Sequence, residues 1–278
     1  MTSTEVVDRG ITLTADQLRS FAEDGYLIVR SLYSPDEIQH VREIFMAQGD
    51  LGPTEGLSDL PKKIDRRDPL SFYPRMMHPH KHLDKAVGQV ALDYLLNPRL
   101  EPILTELLGD EPLAAQTMFY FKPPGARGQE LHQDNFYLRV SPGTCLAAWL
   151  AVDDVDEENG GMKVVPGSHR TEIACPEQAD LTTSFSTDYV PVPAGMEAVH
   201  ANMFAGDVLF FNGSLIHGST PNRSSERFRR SLIAHYVPKS SEEVAHWYRP
   251  LLTFNRDEVL KAQASGGGPC GSVTVSPH

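Results

Sequence analysis

Residues 112 to about 240 predict a mainly β protein of the jelly-roll type, with flanking helices on its N-terminal side. Three observations lead there. Seven short stretches (114–122, 129–137, 145–153, 162–166, 197–203, 207–211 and 230–237) read as strands. Turn signals separate them at Gly125, Pro142-Gly143, Asn159-Gly160-Gly161, Pro166-Gly167, Gly206-Asp207 and Pro221-Asn222. No helical pattern intervenes, which argues for a sandwich or closed barrel rather than a sheet with crossover helices. A jelly roll also has an open mouth able to hold a metal and a small ligand.

In chain order, residues 1–13 carry no clear pattern and read as an arm. Thr14 stands three residues before Gln17, a capping-box pair, and Leu18 with Phe21 supplies an apolar face. A short helix to about Asp24, stopped by Gly25, follows. Tyr26 to Arg30 reads as a strand, and Ser34-Pro35-Asp36-Glu37 opens a second helix that runs to about Gln48. Residues 49–82 are rich in Gly, Pro and charge, a long excursion of the kind that carries function. Val87 to Leu108 has helical spacing broken near Asn97-Pro98, hence two helices. The Gly/Ser-rich stretch from Ser265 onward reads as a loose tail. The expected organisation is one domain over residues 1–278: a mostly helical part with a lid loop (1–111), the jelly-roll core (112–240) and a C-terminal extension (241–278).

Composition bounds the function. A hydrophobic content of 40% and a charged content of 22% are ordinary for a soluble globular protein. A net charge of −12 argues against nucleic-acid or anionic-membrane partners, and no apolar run reaches the length of a membrane span. Cys145, Cys175 and Cys270 are odd in number and lack metal or redox spacing. With no recognisable signal peptide, they predict reduced thiols in a cytoplasmic protein. Nothing in the sequence sets the oligomeric state.

The chemistry concentrates in Leu131-His132-Gln133-Asp134, read together with His217. If the first of these is an extended strand, His132 and Asp134 share a face. A distant His completes two histidines and one carboxylate, the set that leaves open metal positions and suits non-haem Fe(II) oxygenases. His217 follows Asp134 by 83 residues, room for several strands, and Arg229 comes 12 residues later, opening the last strand.

The ordered motifs resemble the phytanoyl-CoA dioxygenase family of Fe(II)/2-oxoglutarate-dependent oxygenases over roughly residues 15–240. They are Lys122-Pro123-Pro124-Gly125, His132-Gln133-Asp134, Ala148-Trp149-Leu150, Asn159-Gly160-Gly161, Pro166-Gly167-Ser168-His169, Ala205-Gly206-Asp207, His217-Gly218-Ser219 and Arg229. The resemblance implies a double-stranded β-helix (cupin-like jelly roll) whose iron ligands are His132, Asp134 and His217. It implies that 2-oxoglutarate chelates the iron, with its far carboxylate held by Arg229 and Ser219 and its pocket lined by Trp149 and Met118. A forked guanidinium suits that carboxylate. The interval from His217 to Arg229 is one residue longer than the commonest family spacing, so Arg227 and Arg230 stay in contention.

The implied reaction consumes O2 and 2-oxoglutarate, releases succinate and CO2, and hydroxylates an unactivated C–H bond of a small-molecule substrate. Desaturation, epimerisation or ring formation by the same oxidising chemistry is the alternative, and a non-catalytic metal- or ligand-binding member is a more distant one. Halogenating relatives lack the metal-binding carboxylate; Asp134 is present here. Phe136 and Tyr137, just after the His-x-Asp triplet, are candidate substrate contacts. The basic stretch Arg75 to His82, including His80, reads either as a solvated loop or as a lid offering cations to an anionic ligand. The second reading favours a substrate carrying an acidic group. His169 is expected to shape a turn, His235 to sit near the core, and Lys122 to be solvated beside a surface turn.

Overall fold

In the computed structural model, residues 12–59, 67–264 and 270 are described. The expected N-terminal arm and C-terminal tail fall almost wholly outside them. The elements in chain order are α1 (Ala15–Asp24), β1 (Tyr26–Val29), α2 (Pro35–Gly49), β2 (Met76–Met77), α3 (Ala86–Leu95), α4 (Leu100–Leu108), β3 (Pro112–Tyr120), β4 (Gln129–His132) and α5 (Asn135–Leu138). They continue with β5 (Leu146–Ala151), β6 (Met162–Val164), β7 (Glu177–Gln178), β8 (Asp188–Tyr189), β9 (Val199–Ala201), β10 (Val208–Asn212), β11 (His217–Ser219) and β12 (Ser231–Pro238). Four short strands close the series: β13 (Glu243–Val244), β14 (Leu251–Leu252), β15 (Glu258–Val259) and β16 (Ala262–Gln263).

Local chemistry sets the helix ends. Thr14 and Gln17 form the capping box of α1, and Ser34 and Glu37 that of α2, with Pro35 in its first turn. Gly25 ends α1 at φ +82, and a Cβ there would lie 2.4 Å from the His169 ring. Only glycine fits both conditions. The Pro-Gly-Ser-His turn thus packs on the first helix, which is the structural role expected of His169.

Two antiparallel sheets build the jelly roll. The larger follows the order β1-β10-β5-β12-β3-β14-β15, with β2 also on β3; the smaller is β4-β11-β6-β9. In β5, every residue is buried, and the two-residue period divides them between two cores. Ala147, Trp149 and Ala151 join Met162, Val164 and Ala201 of the smaller sheet in the core between the sheets. Leu146, Ala148 and Leu150 face the other way, into the layer of α2, α3 and α4 with Phe45, Leu95 and Ile103. The unbroken apolar run of this strand is what a strand covered on both faces requires.

Two expectations need correcting. The stretch 129–137 is not one strand: β4 ends at His132, and Asp134 has helical backbone angles (φ −62, ψ −35) at the head of α5. The apolar and aromatic residues there pack as a helical turn, and the alternation argument does not apply past His132. The cysteines are not all free either. Cys175 and Cys270, 95 residues apart, form a disulfide, while Cys145 is buried and free. Cysteine spacing cannot reveal a partner brought close only by the fold. Among the described residues, no helix is long and apolar enough to cross a membrane.

Candidate active site

The open end of the roll is built on one cross-strand pair. His217 on β11 stands directly opposite His132 on β4, with ring centroids 4.3 Å apart. The turn into α5 then swings Asp134 beneath both. Asp134 Oδ1 lies 3.4 Å from His132 Nε2 and 3.6 Å from His217 Nε2. One donor atom from each of the three residues falls within 4.8 Å of the others, and all three residues are buried.

The other ring nitrogens fix the tautomers. His132 Nδ1 lies 2.8 Å from Glu130 O and His217 Nδ1 3.0 Å from Leu215 O, contacts that need a proton on Nδ1. Each Nε2 therefore presents a lone pair to the centre. Burial pushes His217 down to about 4, so its imidazole is neutral at pH 7. Burial alone would raise the Asp134 carboxyl, but the surrounding imidazoles, His217 and His235 foremost, outweigh it and hold it well below the usual range. Two imidazole nitrogens and one carboxylate facing inward are a donor set suited to a divalent iron.

A cavity of about 580 Å³ opens on these atoms. Met118, Trp149, Ser219 and Arg229, the predicted cosubstrate residues, all line it. Arg229 is buried, its Cζ 5.3 Å from the Trp149 ring centre. Burial lowers it to about 10, and it keeps its charge at pH 7. The competing arginines face elsewhere: Arg227 pairs with Asp156 and Glu158, and Arg230 with Asp153. Strand parity sets Arg230 apart, since 229, 231, 233 and 235 share one face of β12 and its approach, while Arg227 lies in the loop before the strand.

The predicted substrate residues divide. Tyr137 lines the cavity and donates to Asp188 at 2.6 Å, whereas Phe136 is buried edge-on against it and is not part of the lining. Arg75 lines a neighbouring cavity of about 660 Å³ that shares Tyr120 and Arg229 with the first, and its guanidinium is bound to Asp59 at 2.7 Å. His80 reaches neither cavity wall; it is buried with Nδ1 2.8 Å from Thr117 Oγ1. The stretch is not the solvated loop that its polarity suggests. Burial pushes His78 to about 4 and His80 to about 3, so neither is a cation at pH 7.

Sequence reasoning missed several groups. His235 on β12 bonds from Nε2 to Asp134 Oδ2 at 2.8 Å. Gln116 Nε2, 3.2 Å from His235 Nδ1, sets that tautomer. Gln129 Nε2 lies 3.2 Å from His132 Nε2. Gln116 Oε1 and Tyr248 Oη are buried polar atoms with no hydrogen-bond partner among the described residues, and both residues line the cavity. The period of two would have found Gln116 from Met118 and His235 from Arg229. Tyr248 comes from a turn after the roll and carries no such signal. The solvated Lys122 is also corrected: it is 2% exposed, with Nζ bonded to Gly160 O and Ser219 Oγ.

A family model described as Phytanoyl-CoA dioxygenase (PhyH) matches residues 21–231. The phytanoyl-CoA dioxygenase of Arabidopsis thaliana is 27% identical over 260 residues, covering 82% of this chain and 90% of the plant protein. The Mus musculus protein named phytanoyl-CoA dioxygenase, peroxisomal, is 26% identical over 237 residues, covering 81% of this chain and 68% of its own. Among solved structures, the non-haem α-ketoglutarate-dependent carbocyclase SnoK from nogalamycin biosynthesis aligns with a TM-score of 0.64 at 22% identity, covering 83% of this chain and 86% of that one. EctD from S. alaskensis, solved with 2-oxoglutarate and 5-hydroxyectoine, aligns with a TM-score of 0.62 at 22% identity, covering 83% and 78%. At such identities the two structures speak to the fold, a jelly roll.

Proposed function

The chain belongs to the phytanoyl-CoA dioxygenase family, and from that premise we propose that it is an Fe(II)- and 2-oxoglutarate-dependent dioxygenase that hydroxylates an unactivated C–H bond of a small molecule. The observation that carries the reading is the convergence of His132, Asp134 and His217 on one cavity that also holds the buried, charged Arg229. When bound, iron and 2-oxoglutarate supply the oxidising power, with O2 consumed and succinate and CO2 released.

The protein's part is placement. His132 and His217 would offer Nε2 and Asp134 Oδ1 to the metal, while His235 holds the other carboxylate oxygen in position. Arg229 and Ser219 would bind the far carboxylate of 2-oxoglutarate, between the apolar walls of Trp149 and Met118. Tyr137, Gln116 and Tyr248 remain for the substrate, and Gln116 Oε1 and Tyr248 Oη, without a hydrogen-bond partner among the described residues, suit hydroxyl or carbonyl groups. The acidic group expected from the Arg75–His82 stretch loses most of its basis, since His78 and His80 are neutral and Arg75 already faces Asp59. The cytoplasmic setting likewise no longer follows from the cysteine count, because two of the three are bonded.

Turnover tests the reading. Purified protein given Fe(II), ascorbate, O2 and 2-oxoglutarate should form succinate, and EDTA should stop it. Succinate formation that ignores EDTA, or none in the presence of any candidate substrate, would overturn it.

A further inference from the structure

Lys122 is a buried lysine with no acidic partner among the described residues. Its Nζ donates to Gly160 O at 2.9 Å and to Ser219 Oγ at 2.9 Å. Gly160 O also accepts from Arg229 Nε at 3.2 Å, so two basic side chains share one carbonyl. Neither makes an ion pair among the described residues; Asp153, Asp156 and Glu158 are taken by Arg230 and Arg227. Burial, and then the charge of Arg229, push the Lys122 ammonium well below its ordinary range. Uncompensated buried charge is costly, and an anion in the cavity offsets it.

The surroundings are built to keep Lys122 there. Its backbone sits in the left-handed region at φ +41, a conformation that lysine seldom adopts. Asn222 Nδ2 and the Arg229 backbone N–H, at 3.0 and 3.1 Å, both donate to its carbonyl and hold that turn. Gly160, at φ +81, leaves room for the side chain: a Cβ there would lie 2.7 Å from Lys122 Cε.

The consequence falls on Ser219. Its Oγ accepts from Lys122 Nζ at 2.9 Å and from the Gln129 backbone N–H at 3.3 Å. A hydroxyl has two acceptor lone pairs and one proton, so both acceptor places are filled and the proton is left to be donated. Ser219 lines the cavity next to Arg229.

We propose that Lys122 is a positioning residue that turns Ser219 into an obligate donor toward the far carboxylate of the bound keto acid. The inference rests on the 2-oxoglutarate reading and names the device by which the site selects a keto acid with a second carboxylate over one without it.

The test is anaerobic titration of the Fe(II)-loaded protein, reading the visible charge-transfer band, with two probes. One is 2-oxoglutarate; the other is 2-oxobutyrate, which keeps the keto acid and lacks the far carboxylate. Lys122→Met should weaken 2-oxoglutarate by about 10- to 100-fold, the range of one charge-assisted hydrogen bond. It should leave 2-oxobutyrate within about threefold, and Lys122→Arg should restore most of the loss. In a Ser219→Ala background, the effect of Lys122→Met should shrink to under about threefold. Equal losses for both probes, or an undiminished loss in the Ser219→Ala background, would overturn the proposal. So would wild-type affinity in a folded Lys122→Met protein that still needs Arg229. If the wild type binds no 2-oxoglutarate at all, the cosubstrate reading itself fails, and this inference goes with it.

Discussion

His235 Nε2 donates to Asp134 Oδ2 at 2.8 Å across 101 residues of sequence, and Gln116 holds the far side of the same imidazole. The carboxylate that faces the two histidines is thereby oriented from behind. His235→Leu should preserve the fold and lower Fe(II) affinity by about 10- to 100-fold, the usual effect of losing such a support. Competition with a fluorescent chelator measures it. Unchanged iron affinity would make His235 a core residue only.

The three arginines should separate cleanly. Arg229→Ala should raise the KM for 2-oxoglutarate by about 100-fold or more, since it removes a buried charge-assisted pair. Arg227→Ala should change it by less than about twofold, because Arg227 is bound to Asp156 and Glu158 outside the cavity. Steady-state kinetics with all three alanine variants decides. A large effect at Arg227 or Arg230 would move the cosubstrate site.

Much of this was legible in sequence for definable reasons. Capping boxes at Thr14 and Ser34 and the apolar runs of β5 and β12 are local signals, and the helices and central strands follow from them. The His132, Asp134 and His217 cluster is legible through its motif, although not through strand alternation, since Asp134 is delivered by a helical turn. What was not legible depends on contacts distant in sequence. Lys122 follows strand β3 at a Pro-Pro-Gly turn and reads as surface, yet Gly160, Ser219 and Asn222 fold over it. The histidines of residues 78–82 look like a charged lid, but Thr117 and the packed helices bury two of them.

Those buried histidines set a pH dependence. His80 is neutral in the fold, with its pKa pushed by burial to about 3, while the unfolded chain takes up a proton near the ordinary histidine value. A base depressed in the folded state contributes stability above its unfolded pKa, and that contribution is lost as pH falls toward the folded one. Between pH 7 and 5 this single group should cost about 2 kcal/mol of metal-free stability by proton linkage. Urea denaturation at the two pH values should show that loss shrinking in His80→Asn. The same loss in the variant would contradict a neutral buried His80.

The disulfide gives a direct count. Protein denatured without reductant should show one alkylatable thiol by intact mass, Cys145, and three after reduction. Three thiols before reduction would restore the expectation of free cysteines.

The central claim is that His132, Asp134, His217 and Arg229 form one iron and 2-oxoglutarate site. Anaerobic addition of Fe(II) and then 2-oxoglutarate, followed in the visible range, tests it most directly. The account predicts a weak charge-transfer band that is absent in His132→Ala and, at the same 2-oxoglutarate concentration, in Arg229→Ala. Iron that binds without producing the band in the wild type, or a band undiminished in Arg229→Ala, would contradict it.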